Sequence, residues 1–389
     1  VCYQPLKSET MFSTALKFMR YDRAKSIGII IGIVISVFLI GQQLGILTFL
    51  TGMMGGLVDN SRSDIGQIWV VDNITQNANE LAKIDDGLVR EIRSIEGVAN
   101  TYPVVVANAS VKFNNGKTGS VILVGSEAPL FVAGPRRSLI QSGELMHLNE
   151  EGGITAEYYD ESAFNSSLAV GSRLEINGKE AFIKVQTKNA RSFSGALMYT
   201  TLSKARFYGG FPENKISTVA VQVKPGYDIK KVVDNINKTI YGVRAWDAQV
   251  LKSETVSYLT ISSNIGTSVG SLVVFAIISG FFIIGLTLYS SALDRIRDYG
   301  MLKAIGATNG YVRKLILTQS FLFAIVGFAL AFLLLQLFRI GVQEAGLVFH
   351  YSPIQLFAMF LITVFISVGG SLFAIKKINS VEPASVFRG

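Results

Sequence analysis

IGIIIGIVISVFLIGQQLGILTFLTGMMGGLV, residues 27–58, decides what kind of protein this is. The hydrocarbon core of a bilayer asks for about 20 apolar residues in a row, and this run exceeds that without one Asp, Glu, Lys or Arg. Three further runs follow, at about 265–290, 315–340 and 354–375, none with a charge at its centre, as the cost of an ion in lipid demands. The first run is longer than one span needs, so its far end projects beyond the membrane or the helix tilts.

Composition agrees. Of 389 residues 49% are hydrophobic and 16% charged, against roughly 25% charged in soluble domains. The formal net charge is +8, but the basic residues sit beside the apolar runs, which points to membrane topology and away from nucleic acid. Lys17, Arg20, Arg23 and Lys25 precede the first run; Arg295, Arg297, Lys303, Arg313 and Lys314 separate the second from the third; Lys376, Lys377 and Arg388 follow the fourth. Four spans bring these segments to one side, which the positive-inside rule makes cytoplasmic.

The expected layout is a cytoplasmic segment at 1–26, a first span with an outer stem at 27–58, and an extracytoplasmic domain with a second stem at 59–264. Spans at 265–290, 315–340 and 354–375 follow, separated by a cytoplasmic loop at 291–314 and an outer link at 341–353, with a cytoplasmic tail at 376–389. Residues 1–10 show no pattern and are left out of the fold reasoning, and the length of the first run argues against a cleaved signal peptide. Cys2 is the only cysteine, so no intramolecular disulfide is possible.

The large middle segment reads as α+β. Gln67–Val71 has strand character, and Leu88, Val89, Ile92 and Ile95 recur at helical spacing. Thr101–Phe113 and Ser120–Val124 flank Asn114-Asn115-Gly116, a hairpin signal. A strand at 217–223, a helix at 229–240 and a strand at 243–248 repeat the scheme. The expectation is an α-helical membrane protein with four transmembrane helices plus an extracytoplasmic α+β domain. That domain is a split ferredoxin-like layer carrying a mixed insert at about 126–215, with strands such as 173–176 and 181–186. A helix from about Leu251 is expected to lead into the second span.

The loop at 291–314 carries the most specific stretch, Arg297-Asp298-Tyr299-Gly300-Met301-Leu302-Lys303-Ala304-Ile305-Gly306-Ala307-Thr308. Met301, Leu302 and Ile305 fall on one helical face, and Gly306 is a stop signal, so a short amphipathic helix is predicted. Such an element either docks on a separate motor or lies on the lipid surface.

This run resembles the signature of FtsX-like permeases, a group that includes the MacB, LolC/LolE and DevC proteins. The closing Val381-Glu382-Pro383-Ala384-Ser385-Val386-Phe387-Arg388-Gly389 is similar to their C-terminal pattern, and one span, a large outer domain, then three spans is their layout. Tyr21-Asp22-Arg23, Gln43-Leu44-Gly45-Ile46 and Ile68-Trp69-Val70 look most like the DevC-type branch.

The resemblance implies the permease of an ATP-driven exporter of the bacterial inner membrane, a homodimer or a paralogue pair, working by mechanotransmission on an amphiphilic substrate: a lipid, glycolipid, peptide or drug. It implies a partner ABC ATPase that uses ATP and Mg, and brings a periplasmic adaptor and an outer-membrane channel into consideration for efflux. By that resemblance Arg295 and Arg297–Thr308 form the coupling segment. FtsX-like signalling to a cell-wall hydrolase and Lol-type lipoprotein extraction are the alternatives. Many members have Glu early in the third span where this chain has Gln319.

No catalytic constellation or metal-ligand spacing is visible, and no cofactor is expected on this chain. Gly116-Lys117-Thr118 imitates the end of a phosphate-binding loop, but Val111 stands where that loop needs Gly. Gln42 and Gln43 lie inside the first apolar run, where their amides call for partners on a neighbouring helix or a polar pathway. Gly28/Gly32, Gly41/Gly45 and Gly52/Gly56 have the spacing that lets helices approach closely, and the sequence does not say which pair does so.

Overall fold

The structure is a computed structural model and describes residues 11–379 apart from residues 22 and 305. Ile305 and the closing run 381–389 therefore lie outside the described residues. The chain opens with helices α1 (Met11–Tyr21) and α2 (Arg23–Met54) and a single turn, α3 (Gly56–Asp59). At about 1.5 Å per residue, α2 is roughly 48 Å long.

Strands β1 (Ile68–Asp72) and β2 (Ile84–Asp85), helix α4 (Leu88–Arg93) and strands β3 (Val98–Phe113) and β4 (Thr118–Ser126) follow. Next come β5 (Ile140–Ser142), β6 (Gly153–Glu157), α5 (Asp160–Phe164), β7 (Arg173–Ile176), β8 (Lys179–Thr187), β9 (Ala196–Thr201), α6 (Leu202–Gly209) and β10 (Lys215–Ile216). Then β11 (Thr218–Val223), α7 (Ile229–Thr239), β12 (Val243–Asp247) and α8 (Ala248–Ser262) precede the last helices, α9 (Ile265–Asp294), α10 (Ile296–Ala304), α11 (Asn309–Gln343) and α12 (Pro353–Asn379).

The chain divides into two compact units. One comprises residues 49–265 and 344–348, the other residues 1–48, 266–343 and 349–389.

In the first unit the described residues form a ten-stranded sheet. Its order β12–β1–β11–β3 is antiparallel throughout, the arrangement of a split βαβ layer in which α4 and α7 make the crossovers. β1 is apolar at every central position because both its faces are covered. Ile68 and Val70 enter a core with Ile92 of α4 and Val232 and Ile236 of α7, while Trp69 faces Leu57 of α3 and Leu251 of α8. β3 is long enough to serve two layers. Its first half pairs with β11, and the rest with β4 and β7, so the insert continues the same sheet. The β3–β4 hairpin turns at Asn114-Asn115-Gly116, where Gly116 takes a φ of 79° and Lys117 N–H is accepted by Asn115 Oδ1 at 3.0 Å.

The second unit is helical. Helices α2, α9, α11 and α12 are each long and apolar enough to cross a membrane. Gly41 and Gly45 are the glycines that settle close packing: a Cβ at Gly41 would strike Leu335 and Met359, and one at Gly45 would strike the Phe349 ring. Gly28 faces open space. At that end of the bundle Tyr351 donates to the Gly41 carbonyl at 2.8 Å and Gln355 Nε2 to Thr48 Oγ1 at 3.0 Å. At the opposite end Lys25 pairs with Asp294, and Lys303 Nζ donates to the Ile378 carbonyl at 2.8 Å. These contacts gather the basic segments flanking α2, α9, α11 and α12 at one end of the bundle.

Two expected boundaries move. The helix expected to run into the second span stops at Ser262: Asn264 adopts a φ of 56°, a conformation Asn tolerates better than most residues, and α9 begins after it. Within 291–314 the predicted short helix is present as α10, while the helix of the second span runs on to Asp294 and Thr308 caps α11 by accepting from Tyr311 N–H at 3.2 Å.

Candidate functional site: an exposed helix stripe and a buried charged junction

α10 is the element the sequence singles out. Its C-terminus follows from Gly306, which takes a φ of 103° that other residues resist. Ala307 N–H reaches back to the Leu302 carbonyl at 2.9 Å and Gly306 N–H to that of Lys303 at 3.1 Å, which satisfies carbonyls a helix end otherwise leaves open.

Tyr299 is buried at 4% exposure, and burial pushes its phenol up to about 12. Gly300 is buried beside it, Leu302 packs on the bundle core, and Lys303 is tied to the end of α12. Burial lowers the Lys303 ammonium below the usual lysine range. Arg295, just before α10, is 9% exposed, with its guanidinium 5.4 Å from the Tyr21 ring.

The outward side consists of Arg297, Met301 and Ala304, followed by Gly306 and Thr308, all exposed. Arg297, Met301 and Ala304 are spaced i, i+4, i+7 and so form one stripe. Asp298 and Ala307 are half-buried. Met301 and Leu302, grouped on one face from the sequence, part company: Met301 is 50% exposed and Leu302 packs inward. The anchor is Tyr299, whose ring is buried in the bundle core.

Gln42 and Gln43 are half-buried, and neither side chain makes a hydrogen bond among the described residues. Gln319 is 8% exposed, and its Nε2 has no hydrogen-bond partner among the described residues.

Sequence reasoning missed a junction in the β-rich unit. Glu157, at the end of β6, is 1% exposed. Its carboxylate accepts from Thr187 Oγ1 at 2.8 Å, Asn189 N–H at 2.7 Å and Ala190 N–H at 3.0 Å, so it organises the loop after β8. Burial raises its pKa despite these donors.

Within that loop Arg191 Nη1 donates to the Gly346 carbonyl at 2.8 Å, and Nη2 lies 3.6 Å from Asp160 Oδ1. The Arg191 carbonyl accepts from Asn60 Nδ2 at 3.2 Å and abuts Gly56. Phe193 N–H donates to Met53 O at 2.9 Å, Ser192 Oγ to Asn79 Oδ1 at 3.0 Å, and Asn79 Nδ2 to Met54 O at 2.7 Å. One short loop thus holds the end of α2, the turn α3 and the 344–348 segment. These partners are distant in sequence, and no local spacing announces them.

The family described as "FtsX-like permease C-terminal" matches residues 270–383. An ABC transporter permease of Methanocaldococcus jannaschii is 23% identical over 362 residues, covering 88% of this chain and 87% of its own. One from Mycobacterium tuberculosis is 30% identical over 152 residues, 38% of this chain and 41% of that protein. Among solved structures, the periplasmic region of MacB from Actinobacillus actinomycetemcomitans aligns with a TM-score of 0.37 at 10% identity, covering 49% of this chain and 93% of that one. The extracellular domain of the transporter YknZ from Gram-positive bacteria aligns with a TM-score of 0.35 at 13% identity, covering 46% and 98%.

Proposed function

The chain belongs to the FtsX/MacB-type family of ABC transporter permeases, and from that premise we propose that it is the membrane subunit of an ATP-driven exporter. A separate ABC ATPase docks on the Arg297–Met301–Ala304 stripe at the basic, cytoplasmic end of the bundle. Its strokes pass through the apolar helices to the β-rich unit on the far side, which acts on an amphiphilic substrate. Two copies of the chain assemble around two ATPase subunits, with Gln42 and Gln43 left to face the second copy or a polar path. The substrate is a lipid, glycolipid, peptide or drug that enters laterally from the membrane. This chain contributes leverage, and the partner contributes ATP and Mg chemistry.

The observation that carries this reading is the two-sidedness of α10. One side is fixed to the bundle by Tyr299, Leu302 and Lys303, and the other is an exposed stripe of one cation and one flexible apolar side chain. A force applied to the stripe therefore enters the bundle without first bending a loop.

The test is isolation of the full chain from its native membranes, with and without Arg297→Glu combined with Met301→Glu. The unaltered chain should carry an ABC ATPase, and that complex should hydrolyse ATP. The double variant should lose both while the fluorescence of Trp69 and Trp246, which report on the β-rich unit, stays unchanged. Undiminished ATPase association and full export of substrate by the double variant would overturn the reading.

A further inference from the structure

The β-rich unit holds a cavity for which leverage alone has no use. Its volume is about 490 Å³, and it lies between Tyr158 and Tyr159 just after β6, Glu161 of α5, the turn Asn165–Ser167, and Glu344. Pockets that hold small ligands run from about 300 to 1,000 Å³.

The walls are fixed by contacts of their own. On one side Arg191 stands 5.7 Å from the Phe49 ring and 5.9 Å from the Tyr159 ring, and donates to the Gly346 carbonyl at 2.8 Å. Gly346 takes a φ of 87°, and a Cβ there would meet Tyr159 Cβ at 3.3 Å, so the segment that carries Glu344 lies against Tyr159. On the other side Glu161 Oε1 accepts from Leu168 N–H at 2.8 Å and closes the turn. Asn165 takes a φ of 45°, and its carbonyl accepts from Asn115 Nδ2 at 2.6 Å.

What these walls leave open is a mixed set of donors and acceptors. Among the described residues the Tyr158 hydroxyl, the side-chain amide of Asn165, the Ser166 hydroxyl and the Glu344 carboxylate make no hydrogen bond, and Glu161 keeps its second oxygen. Tyr158 is 37% exposed, and its ring adds an apolar face beside a polar tip. Lys188 Nζ already stands 4.8 Å from the Tyr158 ring and 5.5 Å from the Tyr159 ring, so the rings have their cation. A cationic ligand would leave the donors of the turn unmatched, and an anionic ligand would meet two carboxylates. A neutral molecule whose hydroxyls both donate and accept, and whose C–H faces are apolar, answers every group on the lining. A sugar ring has that chemistry.

We propose that this cavity binds one or two rings of a neutral saccharide. The C–H face of one ring lies on Tyr158, and its hydroxyls are shared by Glu161, Glu344 and the Asn165–Ser167 turn. A glycan chain and a glycolipid headgroup present the same hydroxyls to it. The site lies within the β-rich unit and does not depend on the export reading.

The test uses the full chain in phosphatidylcholine nanodiscs, titrated with maltotetraose, cellotetraose and chitotetraose and followed by saturation-transfer NMR. A second set of nanodiscs contains glucosyl-diacylglycerol, with retained lipid identified by native mass spectrometry. At least one of these sugars should bind. A hydrogen bond to a charged group is worth about tenfold in affinity or more, so Glu344→Gln should weaken binding about tenfold. Tyr158→Ala should weaken it as much, and Tyr158→Phe, which keeps the ring face, should weaken it less. Tyr241→Ala, outside the cavity, should leave it unchanged. Unaltered tryptophan fluorescence shows that each variant is folded. Binding of free chains assigns the site to glycan, and selective retention of the glucosyl lipid, lost in Tyr158→Ala, assigns it to a lipid-borne sugar; either supports the proposal. Absence of both, equal binding by Tyr158→Ala and the unaltered chain, or binding of tetragalacturonate or tetralysine in preference to the neutral sugars would overturn it.

Discussion

Lys252 Nζ donates to Asp59 Oδ1 at 2.7 Å, and the bond ties α8 to the turn that follows α2. The aliphatic stem of Lys252 lies over Gly55, Thr260 Oγ1 meets Met54 Sδ at 3.6 Å, and Ala78 N–H donates to Thr255 Oγ1 at 2.9 Å. The two helical stems of the β-rich unit are therefore joined by packing as well as by charge.

Packing should dominate that joint. The side chains of Lys252 and Asp59 are 31% and 40% exposed, and ion pairs of that kind are worth about 0.2–1 kcal/mol. Leu251 is 1% exposed and shares a core with Leu57 and Val58, and its truncation to Ala should cost about 2–5 kcal/mol. Denaturant unfolding followed by tryptophan fluorescence should show Leu251→Ala far more damaging than Asp59→Asn.

Gly52 and Gly56 should respond oppositely to a methyl group. A Cβ at Gly52 meets nothing, and Ala there should stabilise α2 by about 0.5–1 kcal/mol. A Cβ at Gly56 runs into the backbone carbonyl of Arg191, which sits in the loop held by Glu157. Gly56→Ala should cost about 1–3 kcal/mol, as overpacking does. The same fluorescence measurement checks both.

How much of this was legible beforehand differs by element. The four apolar helices were, because lipid forces a long uncharged run that leaves no other reading. The βαβ halves were, since β1, α4, β11 and α7 keep their periods even when separated by more than a hundred residues. The ends were not: Asn264 breaks the helix before α9 by a backbone choice that composition does not reveal. On α10 the motif located the helix, but the neighbours of Tyr299 decide which face is anchored. The Glu157–Arg191 loop was invisible because its meaning lies wholly in distant partners.

Acid should stabilise the β-rich unit before it destabilises it. Burial raises the pKa of Glu157 and of Asp160, the latter opposed by Arg191. A carboxyl raised in the fold contributes stability that is complete below the ordinary carboxylate range and is lost as pH climbs through the raised value. Lowering the pH from neutral into that raised range should therefore increase the unfolding temperature. Asp160→Asn should flatten the response and Arg191→Ala should extend it to higher pH. Glu157→Gln puts an NH2 against a backbone N–H and should cost about 1–3 kcal/mol. Melting curves across pH decide these points, and a stability rising steadily from acid to neutral would contradict them.

Gln319 should be replaceable. Its buried Nε2 lacks a partner among the described residues, and an unsatisfied buried amide costs about 1–3 kcal/mol. Gln319→Met, similar in volume, should raise the thermal stability of the helical unit in detergent. A clear loss of stability or of ATPase coupling would instead give this amide a working role.

The most direct check of the account is sidedness. In a Cys2→Ser background, Arg297→Cys and Tyr241→Cys provide one thiol each, the first on the α10 stripe and the second on a residue of the β-rich unit that is 93% exposed. A membrane-impermeant maleimide applied to intact cells should label Tyr241→Cys at once and Arg297→Cys only after the membrane is opened. Labelling of both thiols in intact cells, or of neither, would place the stripe and the β-rich unit on one side of the lipid and contradict the relay.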